Sequence, residues 1–315
     1  MRAPGAAVPA SPRAPRTAPR ATARPRPPVR RWLTSYALLA PALVLFGLFV
    51  LYPLVQAVRI SMTDSTGIGE ARFTGLDNYA RMVGDPVFWR AAGNTVLLAL
   101  VSVPTSVAAG FGLALLLRDR LPARGLFRAL FLAPYVLSGV VVAMAGRWIF
   151  DQEVGVVDRT LTQLGLPAPD WQSSGAAAAV SVFVVLFWAR TGLVVVLYLS
   201  ALQGVDRDVL EAAELDGASR RQRVRYVTWP LLRPTTFFVV VLMVVEVFQT
   251  FDVVRVMTGG GPAGATEILV TYAYAQGFQA RAEGYGSAIG VVVFSVVLLA
   301  TVAAWWAQRG SEEVA

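Results

Sequence analysis

The stretch EAAELDGASRRQRVRYVTWP, residues 211–230, is densely charged yet lies between two long apolar runs. Its local signals predict two short helices that meet at a corner. Asp206 is a suitable N-cap for the first helix, and Gly217 suits the left-handed residue that ends it. Ser219, followed three residues later by Gln222, has the spacing of a capping box for the second helix. A polar corner of this kind between apolar runs indicates a loop outside a membrane.

The small residues of this corner favour contact with another protein. Ala212 and Ala213 leave a shallow surface that lets a second backbone come close, and Gly217 allows a sharp turn without a side chain. Arginines of the second helix are suited to pair with carboxylates of a soluble partner. An amphipathic pair of helices that lies on anionic lipid explains the same pattern, since each Arg contributes about 1 kcal/mol of attraction to such a surface.

The composition of the whole chain points to a membrane protein. Of its 315 residues, 56% are hydrophobic and only 15% are charged, whereas soluble domains carry about 25% charged residues. The chain contains neither Cys nor His. Disulfides, thiolate catalysis and imidazole-based metal or proton chemistry are therefore excluded.

Several apolar runs are long enough to cross a membrane, which takes about 20 residues of helix. They are residues 33–58, 93–117, 129–150, 176–199, 235–257 and 286–307. We therefore predict an all-α, polytopic protein with six transmembrane helices. Residues 32–315 form this membrane domain, and the Pro-, Arg- and Ala-rich residues 1–31 form a disordered tail.

The arginines predict the orientation of the chain. They are concentrated in the tail, in the loop after the second run and in the loop after the fourth. Because cytoplasmic loops carry the excess of Arg, both termini and the polar corner are expected on the cytoplasmic side.

The polar corner resembles the "EAA" loop of binding-protein-dependent ABC importer permeases. The positions that match the family pattern are Glu211, Ala212, Ala213, Gly217, Val227, Trp229 and Pro230. Two residues depart from it, since Trp229 stands where the family usually has Leu and Asp206 where it commonly has Pro. Both departures keep the corner, because Asp caps a helix well and Trp remains apolar.

The resemblance extends over nearly all of the chain after the tail. LLAPALVLFGLFVLYPLVQAVRISMTD, FTGLDNYARMVGDPVFWRAAGNT, LFRALFLAPYVLSGVVVAMAGRWIF and MTGGGP are similar, in this order, to segments of the carbohydrate-uptake branch, which includes maltose and glycerol-phosphate permeases. The resemblance implies the type I ABC importer permease fold, with a coupling loop over about residues 200–234. It also implies that the corner docks on an ATPase, through Glu211, Ala212, Ala213, Asp216, Gly217 and Pro230.

The resemblance further implies a chain that works only in a complex. The expected partners are a second homologous permease subunit, a cytoplasmic ABC ATPase dimer and an extracytoplasmic solute-binding protein, in a bacterial cytoplasmic membrane. The chain lacks a phosphate-binding GxxxxGK[ST] sequence. In agreement with this, the resemblance implies that ATP and Mg bind to the ATPase subunits, with no catalytic residue, cofactor or metal in this chain and no nucleic-acid partner.

The fifth apolar run contains the main candidates for a solute path. Glu246, Gln249, Asp252 and Arg255 follow one another at steps of three residues, so that neighbours adjoin on a helix. Carboxylates and amides suit sugar hydroxyls, and Phe251 is suited to stack on a sugar ring. The alternative is a polar clamp between helices, in which Asp252 and Arg255 neutralise each other.

The fourth run supplies further candidates. Trp188 and Gly192 match by spacing the positions with which maltose-type permeases line their site, and Arg190 lies between them as a possible packing charge. Arg147 is expected to reach lipid headgroups. Asn94 is expected to cap the second span.

Other functions fit parts of the sequence. A membrane enzyme with a carboxylate site at Glu246 and Asp252 would need another acid or a metal partner, and a channel or secondary carrier would be favoured by an inverted repeat. Sugars, polyols and glycerol phosphate all suit the family branch. The acids of the fifth run favour neutral, hydroxylated solutes.

Overall fold

The computed structural model describes residues 29–118 and 124–312, and the described part of the chain is built from helices. In chain order they are α1 (Val29–Phe46), α2 (Tyr52–Ser61), α3 (Asp77–Val83), α4 (Pro86–Arg118), α5 (Arg124–Val136), α6 (Gly139–Ile149), α7 (Val156–Gln163), α8 (Gly175–Gln203), α9 (Arg207–Leu215), α10 (Arg220–Arg223), α11 (Trp229–Leu231), α12 (Arg233–Phe248), α13 (Asp252–Met257), α14 (Leu269–Tyr274) and α15 (Glu283–Glu312). Short π-helical segments follow α1, α10 and α14, at Gly47–Leu51, Val224–Thr228 and Ala275–Gln279.

The prediction of an all-α membrane fold is confirmed. Among the described residues, five helical segments are long and apolar enough to span a membrane, and a sixth span results if one bent pair is counted. β-Structure in the same part of the chain is limited to a single bridge between Thr63 and Phe73. Of the predicted tail, residues 1–28 lie outside the described part, and residues 29–31 belong to α1.

The described part of the chain divides into two compact units, one that ends at residue 53 and one that begins at residue 54. The described part of the first unit consists of α1, the π-helical segment and the start of α2. The second unit contains every element from α3 onward, and the sites described below lie entirely within it.

The third predicted span is not a straight helix. α5 and α6 are bent relative to each other by 115° at residues 137 and 138. Pro134 lies in the last turn of α5, and Ser138 takes an extended ψ of 138° before Gly139 begins α6. The expectation of one span over 129–150 is therefore wrong at its centre, because Pro and a Ser-Gly pair end one helix and start another.

The fifth predicted span is interrupted as well. α12 ends at Phe248 and α13 begins at Asp252, after a residue, Phe251, whose φ is −125°. The hydroxyl of Thr250 donates to the carbonyl oxygen of Glu246 over 3.0 Å, so a side chain satisfies one of the acceptors at the end of α12. Of the polar residues of this run, Glu246 therefore lies on α12, Gln249 lies in the break, and Asp252 and Arg255 lie on α13.

Glycines allow close contacts between α8 and its neighbours α4 and α5. A Cβ at Gly192 in α8 would lie 2.0 Å from the carbonyl oxygen of Phe131 in α5, and one at Gly110 in α4 would lie 2.4 Å from Cγ1 of Val194. The main core, which includes Val194, Tyr198 and Met243, fills the space between α4, α8 and α12. The absence of side chains at these glycines lets α8 contact α4 and α5 closely.

Candidate functional site

We call residues 206–230 the elbow, and the structure builds it as its sequence predicts. Oδ1 of Asp206 accepts a hydrogen bond from the amide of Asp208 at the start of α9, over 3.0 Å. Gly217 has φ +80°, the left-handed conformation expected where α9 ends. The amide of Ala218 donates to the carbonyl oxygen of Ala213 over 3.0 Å, which closes the end of the helix.

Two further contacts fix the angle of the elbow. The predicted capping box forms, since Ser219 accepts from the amide of Gln222 over 3.4 Å and Gln222 accepts from the amide of Ser219 over 2.8 Å. Arg223 forms a salt bridge of 2.5 Å with Glu214, which connects the second helix to the first. The elbow is therefore an ordered corner held by its own side chains.

Much of the surface of the elbow is exposed. Glu211, Ala212, Asp216 and Gly217 are exposed, and Ala213 is half-buried. The side chain of Leu215 is 89% exposed. No atom of another described segment lies within 4 Å of the position that a Cβ would take at Gly217. An exposed Leu beside small residues is a surface that a protein partner can cover.

The elbow contacts the spans through an aromatic cluster. Phe111 of α4 packs edge-to-face on Trp229, with ring centres 5.0 Å apart, and on Tyr198, with ring centres 5.3 Å apart. The hydroxyl of Tyr198 in α8 donates to Oγ1 of Thr236 in α12 over 3.0 Å. Pro230, which is half-buried, directly follows Trp229 in α11. Trp229, the departure from the family pattern, therefore anchors the elbow to α4.

An ion pair crosses between the fourth and fifth spans. Arg190 of α8 forms a salt bridge with Glu246 of α12, and the two side chains are 26% and 25% exposed. Tyr135 at the end of α5 and Asp252 at the start of α13 also interact electrostatically with the guanidinium group of Arg190. These four residues, which we call the ion-pair cluster, lie where the third span is bent and the fifth is broken.

The other candidates of the fifth run do not form the predicted stripe. Gln249 is exposed at the break. The ring of Phe251 packs edge-to-face on Tyr274, with centres 5.0 Å apart. Within the described residues no Asp252–Arg255 ion pair forms, and the Arg255 guanidinium lies 5.5 Å from the ring centre of Tyr274. The stripe is wrong because the helix that would carry it stops at Phe248.

The two candidates of the fourth run have different surroundings. Gly192 is buried against the backbone of Phe131, where it leaves no room for a solute. Trp188 is 38% exposed. Arg190, treated as a possible packing charge, proves to be the partner of Glu246. The sequence does contain one signal for this pair, since Arg190 and Glu246 are opposite charges in successive spans.

The role expected for Asn94 is also wrong. Its side-chain amide donates to the carbonyl oxygens of Gly264 and Glu267, over 3.0 and 2.9 Å, and so connects α4 to the turn before α14. α4 begins eight residues earlier, at Pro86. Asp85 caps it by accepting from the amides of Val87 and Phe88 over 2.9 and 3.3 Å.

Asp85 is also the centre of a polar network that sequence reasoning missed. Its Oδ2 accepts from the hydroxyls of Tyr272 and Tyr285, over 2.6 Å each. Burial alone would raise the pKa of Asp85, but these hydrogen bonds and those from the capped amides outweigh it, so the pKa lies below the ordinary value of 3.8. Burial, together with the hydrogen bond to Asp85, raises the pKa of Tyr272 to about 12.

The fold and the site define a class of protein: a polytopic helical membrane protein with a charged cluster between broken spans. Such clusters and breaks are typical of transport proteins. Across the described residues, no group of three or more acidic, His or Cys side chains is arranged to hold a metal ion.

The chain belongs to the family described as "binding-protein-dependent transport system inner membrane component", whose model matches residues 106–310. It is thus an inner-membrane transport permease, and the family is not one of enzymes. This confirms the predicted family, the six-helix permease fold and the membrane location. The predicted termini orientation, domain limits and site residues stay predictions.

Several relatives align with most of this chain. The sulfoquinovosyl glycerol transport system permease protein SmoG of Agrobacterium fabrum is 33% identical over 91% of this chain and 96% of its own length. The trehalose/maltose transport system permease protein MalF of Thermococcus litoralis is 32% identical over 85% of this chain and 91% of its own length. A chain of a bacterial ABC transporter that imports the acidic polysaccharide alginate has the same fold, with a TM-score of 0.78, 22% identity and coverage of 89% of this chain and 96% of its own.

Proposed function

We propose that the chain is one of two permease subunits of an ATP-driven importer and forms half of the path for a sugar or a related polyhydroxylated solute. An extracytoplasmic binding protein would deliver the solute. The names of the relatives support the substrate class, since they include permeases for trehalose/maltose, for lactose and for arabinooligosaccharides. The solved alginate transporter was also obtained in complex with a periplasmic protein bound to an alginate pentasaccharide.

The observation that carries the proposal is the ion pair between Arg190 and Glu246 at the break of the fifth span. A charge near the centre of a span costs about 2.5–3.5 kcal/mol on insertion scales. Irregular backbone at this depth is tolerated where it is buried in protein or lines a water-filled path. Together, the pair and the break favour a hydrophilic path, and the pair offers both donors and acceptors to solute hydroxyls.

The pairing also changes the charge expected for this path. Because Arg190 neutralises Glu246, the acid excess that favoured neutral solutes is reduced to Asp252, which itself interacts with Arg190. With Arg190 counted, the formal charge of the cluster is −1 instead of the −2 of Glu246 and Asp252 alone. The cluster therefore supplies hydrogen-bonding groups to hydroxylated solutes with a smaller acid excess than the sequence suggests.

The elbow is the site through which ATP hydrolysis would act on this path. In the proposal, the elbow and both termini face the cytoplasm, and the elbow docks on an ATPase dimer that holds ATP and Mg. The exposed Leu215 and the open space around Gly217 support such a contact. The aromatic cluster at Trp229 connects the elbow to α4 and α8, so a movement of the elbow would reach the spans.

Reconstitution tests the proposal directly. The full chain, a second permease, the ATPase subunits and the binding protein are assembled in proteoliposomes, and uptake of labelled sugars and of glycerol phosphate is measured with and without internal ATP. We expect uptake of a sugar that depends on both ATP and the binding protein. Uptake by this chain without an ATPase, or uptake of glycerol phosphate but of no sugar, would contradict it.

The ion-pair cluster has its own test in the same assay. Glu246→Gln and Arg190→Gln should each change the KM for uptake of the sugar, because each removes a group from the path. Arg159→Gln, in exposed α7, is the matched control and should leave KM unchanged. Normal kinetics in both cluster variants would show that the pair only connects two helices.

A further inference from the structure

A second polar cavity lies apart from the ion-pair cluster. It has a volume of about 460 Å³, and we call it the arginine pocket. Its walls come from the ends of α6 and α13, from α8 and the segment before it, and from the turn after α13. The lining side chains that carry the argument are those of Arg147, Trp171, Gln172, Ser181 and Arg255.

The packing of α6 beside α13 brings the two arginines into one cavity. At the start of the two helices, a Cβ at Gly139 would lie 2.5 Å from Oδ2 of Asp252. Toward their ends, a Cβ at Gly146 would lie 3.0 Å from Sδ of Met257. The helices therefore run side by side in the same direction, and Arg147 and Arg255 lie at the same end of the pair.

No carboxylate faces these two cations from the wall of the pocket. Among the described residues, neither Arg147 nor Arg255 forms a salt bridge within 4 Å, and the pocket has no acidic lining residue. Asp151 interacts electrostatically with Arg147, but its Oδ1 accepts from the amides of Glu153 and Val154 over 3.0 Å each. Its hydrogen bonds are thus directed to its own loop.

The pocket also contains unused hydrogen-bonding capacity. Trp171 is only 9% exposed, and its buried Nε1 atom has no hydrogen-bond acceptor among the described residues. Exposed Gln172 adds an amide, and buried Ser181 adds a hydroxyl oxygen that is free to accept. A buried donor without a partner is costly, so an acceptor supplied by a ligand would be favourable.

We infer that the arginine pocket binds the anionic group of an acidic sugar, such as a carboxylate, before the solute reaches the ion-pair cluster. Guanidinium groups form the strongest hydrogen bonds with oxyanions, and polar side chains beside them suit the hydroxyls of the same solute. Arg255 lies one turn from Asp252, so the pocket adjoins the proposed path. The inference rests on the proposed function and adds solutes with an acidic group to its substrate class.

The test measures binding of glucuronate to the full chain in nanodiscs of zwitterionic lipid. Quenching of tryptophan fluorescence reports the binding, and Trp171→Phe removes the signal that arises in the pocket. Glucose at the same concentration and ionic strength is the neutral comparison. We expect glucuronate to quench and glucose to have little effect.

Variants of the two arginines identify the site. Arg147→Gln and Arg255→Gln should each weaken glucuronate binding about tenfold or more, as expected for the loss of a charge-assisted hydrogen bond. Arg147→Lys, which keeps the charge, should retain part of the affinity. Arg159→Gln should bind like the unchanged protein. Equal binding in the Gln variants, or equal quenching by glucose, would overturn the inference.

A second experiment tests whether a lipid headgroup occupies the arginine pocket instead of the sugar. The titration is repeated in nanodiscs that contain phosphatidylglycerol. Quenching that depends on the arginines and follows the anionic lipid, without any response to glucuronate, would overturn the inference. Uptake of neutral sugars by the same variants is measured separately and should be normal, so that failure of the pocket and failure of the proposed function give different results.

Discussion

At the scale of single residues, Glu246 shows what a charge within a span requires. Its only ion-pair partner among the described residues is Arg190, on a different helix. Removal of one member of a partly buried pair leaves the other uncompensated, and this is more harmful than removal of both. The pair therefore contributes to folding as well as to the proposed path.

We predict that Glu246→Ala lowers stability by about 1–3 kcal/mol, less than the 3–5 kcal/mol of a fully buried pair because both side chains are a quarter exposed. The double variant Arg190→Leu, Glu246→Leu should recover most of the loss but should not restore uptake. Thermal unfolding in detergent and uptake in proteoliposomes measure the two effects. A double variant that transports normally would contradict the proposed path.

Gly217 provides a prediction for the elbow. Gly217→Trp should insert in the membrane but fail to co-purify with the ATPase, because the side chain fills a space that is open in this chain. Gly217→Asn is the control, since Asn tolerates the left-handed conformation that φ +80° requires. If the Trp variant assembled as well as the Asn variant, the elbow would not be the docking surface.

Single residues also show where sequence reasoning succeeds. The roles of Asp206, Gly217, Ser219 and Gln222 depend on neighbours within a few positions, and each was predicted correctly. The partner of Glu246 lies 56 positions earlier in the chain, at Arg190. To identify this partner, the orientation of both helices about their axes must be known, and the apolar runs do not specify that orientation.

At the scale of elements, α5 and α8 touch through the backbone. The Cβ of an Ala at position 192 would meet a carbonyl oxygen at 2.0 Å, and backbone cannot move aside as a side chain can. The contact fixes α5 against α8 close to the ion-pair cluster.

We therefore predict that Gly192→Ala destabilises the protein by about 1–3 kcal/mol through forced separation of the two helices. Gly112→Ala in α4 is the matched control, because in the part of the chain that the structure describes no neighbouring atom lies within 4 Å of its Cβ position, and Ala favours a helix by up to about 1 kcal/mol. Thermal unfolding of the two variants should move in opposite directions. Equal changes would mean that the close contact does not hold α5 in place.

The number of apolar spans is predictable from the sequence, but the bend and the break within two of them are not. All the predicted apolar runs contain helices, since length and hydropathy are enough to identify a span. The bend after Val136 and the break after Phe248 were missed. Pro134 with Ser138 and Gly139 signals the first, whereas the break at Gln249 has neither Pro nor Gly and depends on packing around Asp252.

At the scale of the whole second unit, Asp85 connects elements far apart in the sequence. It caps α4 and accepts from Tyr272 of α14 and Tyr285 of α15. Since the pKa of Asp85 is lowered in the folded protein, its contribution is complete above the ordinary value of 3.8 and is lost as the pH falls through the lower, folded value.

We predict that acid destabilises the unchanged protein more than Asp85→Asn. At pH 7 the variant should be about 1–2 kcal/mol less stable, because a neutral amide accepts weaker hydrogen bonds than a carboxylate. As the pH falls below 3.8, towards the lower pKa of the folded protein, the difference should shrink. Unfolding temperatures measured across this range provide the test, and a constant difference would exclude Asp85 as the titrating group.

The broken fifth span has a mechanical consequence. α12 is continuous with the elbow through α11 and is bonded to α8 at Thr236, whereas α13 lies against α6 at Gly139 and Gly146. A force on the elbow would thus tilt α12 as a rigid body, while α13 remains packed against α6. The three residues between Phe248 and Asp252 would act as the pivot, next to the helix end that carries Glu246 and its ion pair with Arg190.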